Sequence, residues 1–212
     1  ATAVHAFCHA VPGTWHQMGV ILSAAGSLEW LAETFGVSAG ELTRPLEDDR
    51  GGPGAVMFLP YLGGERTPHN DATMRGSFSG ISYSTDRTAL TRAVLEGVAF
   101  AFADNLAALR QAGADVTRAL AVGGGSRSRK WLRIIANTLD IAIDVPEEGD
   151  FGAGLGAARL GLVAAEGADP FAVCTQPKII ETIEPDRSLV PAYAESYATY
   201  RRLYPAIMEA MK

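Results

Sequence analysis

The chain has 212 residues, 48% hydrophobic and 20% charged, with 23 Gly, 11 Pro and a mean hydropathy of +0.09, enough apolar material for one large or two small domains, which excludes a disordered chain and a disulfide mini-scaffold. Eighteen Lys and Arg against 24 Asp and Glu leave a formal charge of −6 and a pI near 5.2, so a nucleic acid would bind against the overall field and no such partner is expected. No apolar run reaches the roughly 18 to 20 residues that cross a bilayer and no basic-then-apolar leader is seen, so a cytoplasmic protein without a membrane partner is expected, with Cys8 and Cys174 as reduced, packed thiols.

In chain order, the apolar and partly β-branched run Trp15 to Leu22 predicts a strand leading into Ser23, which is placed as the N-cap of a helix ending near Phe35, before Gly36. A short helix over about residues 39–47 follows, then Asp48-Asp49-Arg50-Gly51-Gly52-Pro53-Gly54, which is turn chemistry throughout. Val56 to Tyr61 predicts a buried strand stopped by Pro60, and residues 63–76 form a polar, glycine-bearing loop too long and irregular for a simple hairpin. From Thr88 to Gln111 the apolar residues Leu90, Val94, Leu95, Val98, Phe102, Leu106 and Leu109 recur at three and four, which predicts a long helix with one buried stripe, ended by Gly113. Next come a strand at 120–122, a turn at 123–126, a helix over 128–139 and a strand at 141–145. An acidic turn, a small-residue helix over 152–165, a strand near 179–183 and a final helix over 191–211 complete the reading. The order strand, helix, strand, helix requires a parallel pair with a right-handed crossover, so the second half is α/β.

Four clusters carry possible chemistry. Gly123-Gly124-Gly125-Ser126 lies between strand and helix, where missing side chains admit a ligand to the backbone and a helix start would offer unpaired N–H groups; this is a nucleotide or phosphate cradle, or an ordinary glycine-rich turn. It is not a P-loop, because no Gly-Lys-Ser/Thr follows. Gly152, Gly154, Gly156, Ala157 and Ala158 have helical spacing; close helix packing is the reading for Gly156, Ala157 and Ala158, whereas Gly152 suits packing or a ligand. The loop Gly64-Glu65-Arg66-Thr67-Pro68-His69-Asn70-Asp71 either meets a polar partner or is solvated, with an ion pair from Glu65 or Asp71 to Arg66. His5, Cys8 and His9 lack the fourth partner and the spacing of a metal site, so no metal ligands are assigned, and Tyr193, Tyr197, Tyr200 and Tyr204 read as a packing stripe.

The run Leu59-Pro60-Tyr61-Leu62-Gly63-Gly64-Glu65-Arg66-Thr67-Pro68-His69-Asn70, followed by Gly76-Ser77-Phe78-Ser79-Gly80-Ile81 and Arg92-Ala93-Val94-Leu95-Glu96-Gly97, resembles the carboxy-terminal half of the FGGY carbohydrate kinases. Within that family, Val4 to Ala10, Trp15 to Val20 and Asp150 to Leu160 are most similar to the members that act on xylulose. The resemblance implies an α/β, actin-like ATPase (ribonuclease H-like) domain, a mixed sheet flanked by helices. Residues 1–212 would be one lobe, holding ATP or ADP with Mg²⁺ against an amino-terminal lobe that the sequence does not contain. Gly123, Gly124, Gly125 and Ser126 correspond to the family's adenosine-side turn, Arg129 stands where relatives carry Asn near the nucleotide, and Ala89 replaces a residue that is usually acidic, amide or His. Glu65 and Arg66 resemble a cleft-facing loop.

The family's catalytic Asp, sugar-binding residues and first phosphate loops resemble nothing here. No catalytic residue is therefore assigned, the ketose (D-xylulose) is expected on the other lobe, and the chain alone is expected to be inactive. A homodimer through the uncovered cleft face would follow from such a half-cleft. Two other readings remain open at this stage. One is a non-catalytic actin-like binding domain. The other is a Rossmann dehydrogenase with Asp144 as the ribose-binding acid about 20 residues after the turn.

Overall fold

The computed structural model describes residues 4–210. Strands β1 (His5–Cys8) and β2 (Trp15–Met18) form an antiparallel hairpin in the register His5–Met18 to Cys8–Trp15. The predicted strand thus ends at Met18, four residues early. At Gly19 a side chain would lie 2.3 Å from the Asn105 amide oxygen, so the chain passes there as bare backbone. Around the hairpin the rings of His5, Phe7, His16 and His9 neighbour one another at 5.7 to 5.8 Å. Cys8 is exposed and Cys174 half-buried, both unpaired, which corrects the expectation that both thiols are packed.

Helix α1 (Ala25–Phe35) starts after Ala24, not after the predicted cap Ser23. Ser23 is itself buried, and its carbonyl accepts the Ser27 hydroxyl, so it packs inside the first turn and does not cap it. Gly36, at φ +65, closes the helix in the left-handed conformation that glycine adopts without cost. Helix α2 (Ala39–Thr43) carries a full capping box between Ser38 and Glu41 and continues as a 3₁₀ turn over Arg44–Leu46. Strand β3 (Met57–Leu59) pairs antiparallel with β4 (Ser77–Ser79). Strand β4 was not expected, because Ser-Phe-Ser offers one apolar residue and no visible alternation. What holds it is Phe78 against Phe58, ring centroids 4.5 Å apart.

Helix α3 (Arg87–Gln111) is the spine of the molecule. Asp86 caps it by accepting the Ala89 N–H at 2.7 Å, and Val94, Leu95, Val98 and Phe100 are almost completely buried. Strands β5 (Arg118–Leu120), β6 (Ala142–Pro146) and β7 (Ile179–Ile183) form a mixed sheet in the order β5-β6-β7. The first pair is parallel and the second antiparallel, and helix α4 (Arg129–Leu139) lies in the β5–β6 crossover. Strand β5 lies two residues earlier than predicted, since Gly123, at φ +85, turns the chain out of line soon after it. Helices α5 (Ala153–Glu166), α6 (Pro170–Val173) and α7 (Val190–Ala210) follow; Met211, the predicted end of the last, is outside the described residues.

One apolar cluster joins Leu31, Phe58, Leu95, Phe100, Trp131 and Tyr200 across α1, β3, α3, α4 and α7. A second joins Leu132, Ile143, Val145 and Ile183 between α4 and the sheet. Tyr193 and Tyr200 are buried, as a packing stripe requires. The packing assigned to Gly156, Ala157 and Ala158 is not found. All three are exposed, a side chain at Gly156 would meet nothing within 4 Å, and no described residue of α5 is buried.

Two buried carboxyls give the fold a measurable pH dependence. Burial pushes Glu65 and Glu96 up from 4.5 to about 7 each, although Glu65 accepts the Leu22 and Arg66 N–H groups and Glu96 that of Gly54. Between pH 4.5 and about 7 the folded chain therefore holds protons that the unfolded chain has released, and stability falls as the pH rises through that window. The slope is about 1.4 kcal/mol per pH unit for each proton at most. Urea titrations from pH 5 to pH 7.5 are expected to show this decline, and Glu96→Gln is expected to flatten it; a stability that rises over the same range would contradict the assignment.

Candidate functional site

The segment after β5 is built by backbone. The Ala121 N–H still donates to the Asp144 carbonyl at 2.8 Å, and the Gly123 N–H donates to the Gly149 carbonyl at 2.7 Å. The chain then coils into a 3₁₀ turn over Gly124–Arg127, where the Ser126 N–H and hydroxyl both donate to the Gly123 carbonyl, at 3.1 and 2.7 Å. Ser126 is buried, so its hydroxyl locks the turn and does not face outward.

The three glycines differ in what they do. A side chain at Gly123 or Gly124 would meet nothing within 4 Å, so a ligand can reach their main chain, whereas one at Gly125 would sit 3.2 Å from the Trp131 ring. Gly125 is thus a packing glycine. Gly152, at φ +45, lies against the turn from the other side, its added Cβ 3.7 Å from the Gly123 nitrogen, which places it with the turn. Arg129 braces the same structure: its Nη1 donates to the Ser126 carbonyl at 2.9 Å and its Nε pairs with Glu181 at 2.6 Å.

The helix start is not open as expected. The Trp131 N–H is taken by the Ser128 hydroxyl oxygen at 3.3 Å, and the Ser128 hydroxyl donates to Glu47 Oε1 at 2.7 Å. The Lys130 N–H donates to Glu47 Oε2 at 3.2 Å. A carboxylate from the far side of the chain therefore holds the position where an anion would sit. Sequence reasoning missed Glu47. It lies 81 residues from Ser128, and nothing local to either residue announces the contact.

Beside the turn opens a cavity of about 430 Å³, walled by Gly124, Gly125 and Ser128 on one side and by Ala25, Leu28 and Thr43 on the other. A recess of about 400 Å³, lined by Phe102, Leu120, Leu132 and Ile143, lies on the sheet side of the same glycines. The turn stands between an apolar recess and a cavity with a polar rim, an arrangement suited to a flat heterocycle bearing hydroxyls.

The other clusters separate from it. Glu65 is 1% exposed, its Oε2 has no partner, and Arg66 reaches Asn70, so the expected solvated Glu65–Arg66 ion pair does not form. Asp71 instead accepts from Thr73, Met74 and Tyr204. Asp144 accepts both Arg118 donors, at 2.7 and 2.6 Å, and the Thr182 hydroxyl at 2.6 Å. These bonds hold its pKa down at about 2 and leave it fastened inside the sheet, unlike an acid that reads a ribose.

Residues 1–165 match the C-terminal-domain profile of the FGGY family of carbohydrate kinases. The chain is 38% identical over 214 residues to the xylulose kinase of Escherichia coli (strain K12), covering 99% of this chain and 44% of that protein. A crystal structure of a xyloylose kinase from Brucella ovis superposes with a TM-score of 0.91 at 59% identity, over 100% of this chain and 43% of that one. The xylulose kinase from Rhodospirillum rubrum follows with a TM-score of 0.79 at 30% identity, over 98% of this chain and 43% of its own. The chain spans less than half the length of these relatives, and its mixed sheet with flanking helices is the fold they share.

Proposed function

The chain belongs to the FGGY family of carbohydrate kinases, and from that premise we propose that it is the carboxy-terminal, ATP-binding lobe of an enzyme that converts D-xylulose to D-xylulose 5-phosphate in the cytoplasm. The observation that carries the nucleotide half of the reading is the turn at residues 123–126: open main chain at Gly123 and Gly124 between two concave surfaces, locked by Ser126 and braced by Arg129. The sugar half rests on likeness across the whole chain to xylulose kinases.

In this reading ATP brings the transferable phosphoryl group and the lobe fixes the nucleotide by its nucleoside end. Mg²⁺ would travel on the phosphates, since the described residues form no cluster of three acidic, His or Cys groups able to cage it. Phosphoryl transfer needs positioning, in-line geometry and a group that accepts the sugar's hydroxyl proton. A second lobe supplies that group together with the sugar contacts. The purified 212-residue chain is therefore expected to show no xylulose-dependent ATP turnover, and steady turnover by this chain would overturn the two-lobe assignment.

Calorimetry tests the site directly. ATP with Mg²⁺ is expected to bind the wild-type chain weakly and to displace adenosine. Gly124→Val fills space that a nucleoside would occupy and is expected to weaken both by about tenfold or more, roughly 1.4 kcal/mol. Unchanged heats for Gly124→Val, or a preference for NAD over ATP, would count against the site. Gly125→Val is a poor probe, because it strikes Trp131 and disturbs the core as well as the turn.

A further inference from the structure

We infer that Glu47 is a specificity-determining residue: its carboxylate takes the anion position at the start of α4, so the glycine turn seats the uncharged nucleoside end of a nucleotide and excludes phosphate. The inference rests on the nucleotide reading above and deepens it. A helix start concentrates N–H donors and partial positive charge, which ordinarily makes a glycine turn leading into a helix a place for phosphate. Here that place is filled from within the chain, by a carboxylate bonded to the Ser128 hydroxyl at 2.7 Å and the Lys130 N–H at 3.2 Å.

The carboxylate is held there by its own backbone. The Arg133 guanidinium donates to the Glu47 carbonyl, and the buried Lys130 ammonium donates to the Asp49 carbonyl at 2.9 Å, two residues on. Lys130 and Arg129, the cations next to the helix start, are engaged by other groups, and Arg127 lines the cavity. Lys130 Nζ pairs with the Asp49 carboxylate at 3.2 Å, Arg129 is spent on Glu181 and the Ser126 carbonyl, and Arg127 on the rim also has a partner. Glu29 joins Glu47 on the cavity wall. A phosphate at the helix start would face like charge and find the Lys130 and Trp131 N–H donors already taken, whereas ribose hydroxyls or a base amino group would meet acceptors.

The test uses the full chain, with adenosine and inorganic phosphate as probes, in wild type, Glu47→Gln and Glu47→Ala. In wild type, adenosine binding measured by calorimetry is expected to be indifferent to millimolar phosphate, and phosphate is expected not to raise the melting temperature. Glu47→Gln keeps the shape and removes the charge, and phosphate affinity is expected to rise about fourfold, the effect of one unit charge at about 5 Å in water. Glu47→Ala also frees the Ser128 hydroxyl and the Lys130 N–H, and is expected to raise phosphate affinity about tenfold or more and make phosphate compete with adenosine. A residue that only caps the helix would lower the melting temperature of Glu47→Ala and leave the phosphate response of all three proteins alike, and that result would overturn the inference. So would phosphate that already competes in wild type. If adenosine binds none of the proteins while phosphate still distinguishes them, the nucleotide reading fails and anion exclusion by Glu47 stands.

Discussion

Gly97→Ala is expected to destabilise the protein by about 3 kcal/mol or more, enough to remove a large share of a typical domain's stability. Gly97 sits in the middle of α3, where alanine would ordinarily stabilise a helix by roughly 1 kcal/mol. At this position α3 passes directly under β3, and the new Cβ would lie 2.2 Å from the Phe58 carbonyl oxygen and 3.1 Å from its carbon. The obstacle is main chain in a strand whose neighbours Phe58 and Leu59 are almost fully buried, so it cannot turn aside as a side chain would. Either α3 separates from β3 or β3 leaves β4. Gly26→Ala provides the control: Gly26 lies on the exposed face of α1, an added Cβ meets nothing within 4 Å, and a gain of about 0.5 to 1 kcal/mol is expected. Chemical denaturation of both variants checks the pair, and a near-neutral Gly97→Ala would mean that the α3–β3 contact is looser than its geometry shows.

This contrast marks where the sequence could be read and where it could not. The long helix over Leu90 to Leu109 was legible because its apolar residues are periodic, although from Ala93 to Ala101 it is buried on every face and not along the one stripe expected; the β5–α4–β6 unit was legible because strand and helix patterns alternate there. The family signature around Glu96-Gly97 was visible as a string, but its physical reason was not. Only the fold places the Phe58 carbonyl opposite Gly97, and only the fold places the Gly54 N–H opposite Glu96. The glycine turn shows the same division. Its position between strand and helix could be read locally, whereas the separate duties of Gly124 and Gly125 depend on Trp131, and the closed helix start depends on Glu47. Strand β4, strand β1 and its pairing with the predicted β2 were missed because short strands held by partners distant in sequence or by ring contacts carry little periodic signal.

Tyr200→Ala is expected to cost about 3 to 5 kcal/mol and to release the last helix along with the loop at residues 63–76, because one buried ring ties the two together. Tyr200 is 1% exposed, lies 5.3 Å from the Phe100 ring, and exchanges a hydrogen bond of 2.9 Å with the equally buried Tyr61 hydroxyl. From Tyr61 the contact passes to His69 at 3.2 Å; His69 stacks on Tyr204 at 3.7 Å, and the Tyr204 hydroxyl donates to Asp71 at 3.1 Å. Helix α7 lies beyond the residues that match the family profile, yet three of its tyrosines close on α3 and on the loop that carries the family-like Glu65 to Asn70 run; the third, Tyr197, donates to Asp104 at 2.6 Å. Tyr200→Phe separates the bond from the packing. Tyr61 keeps His69 as a partner, so a loss of only about 1 to 2 kcal/mol is expected. In hydrogen exchange the Asn70 and Asp71 amides, now bonded to the Arg66 and Glu65 carbonyls at 2.6 and 2.8 Å, are expected to lose protection in Tyr200→Ala and to keep it in Tyr200→Phe. Protection unchanged in both would mean that the loop holds itself and that α7 is only a lid over the core.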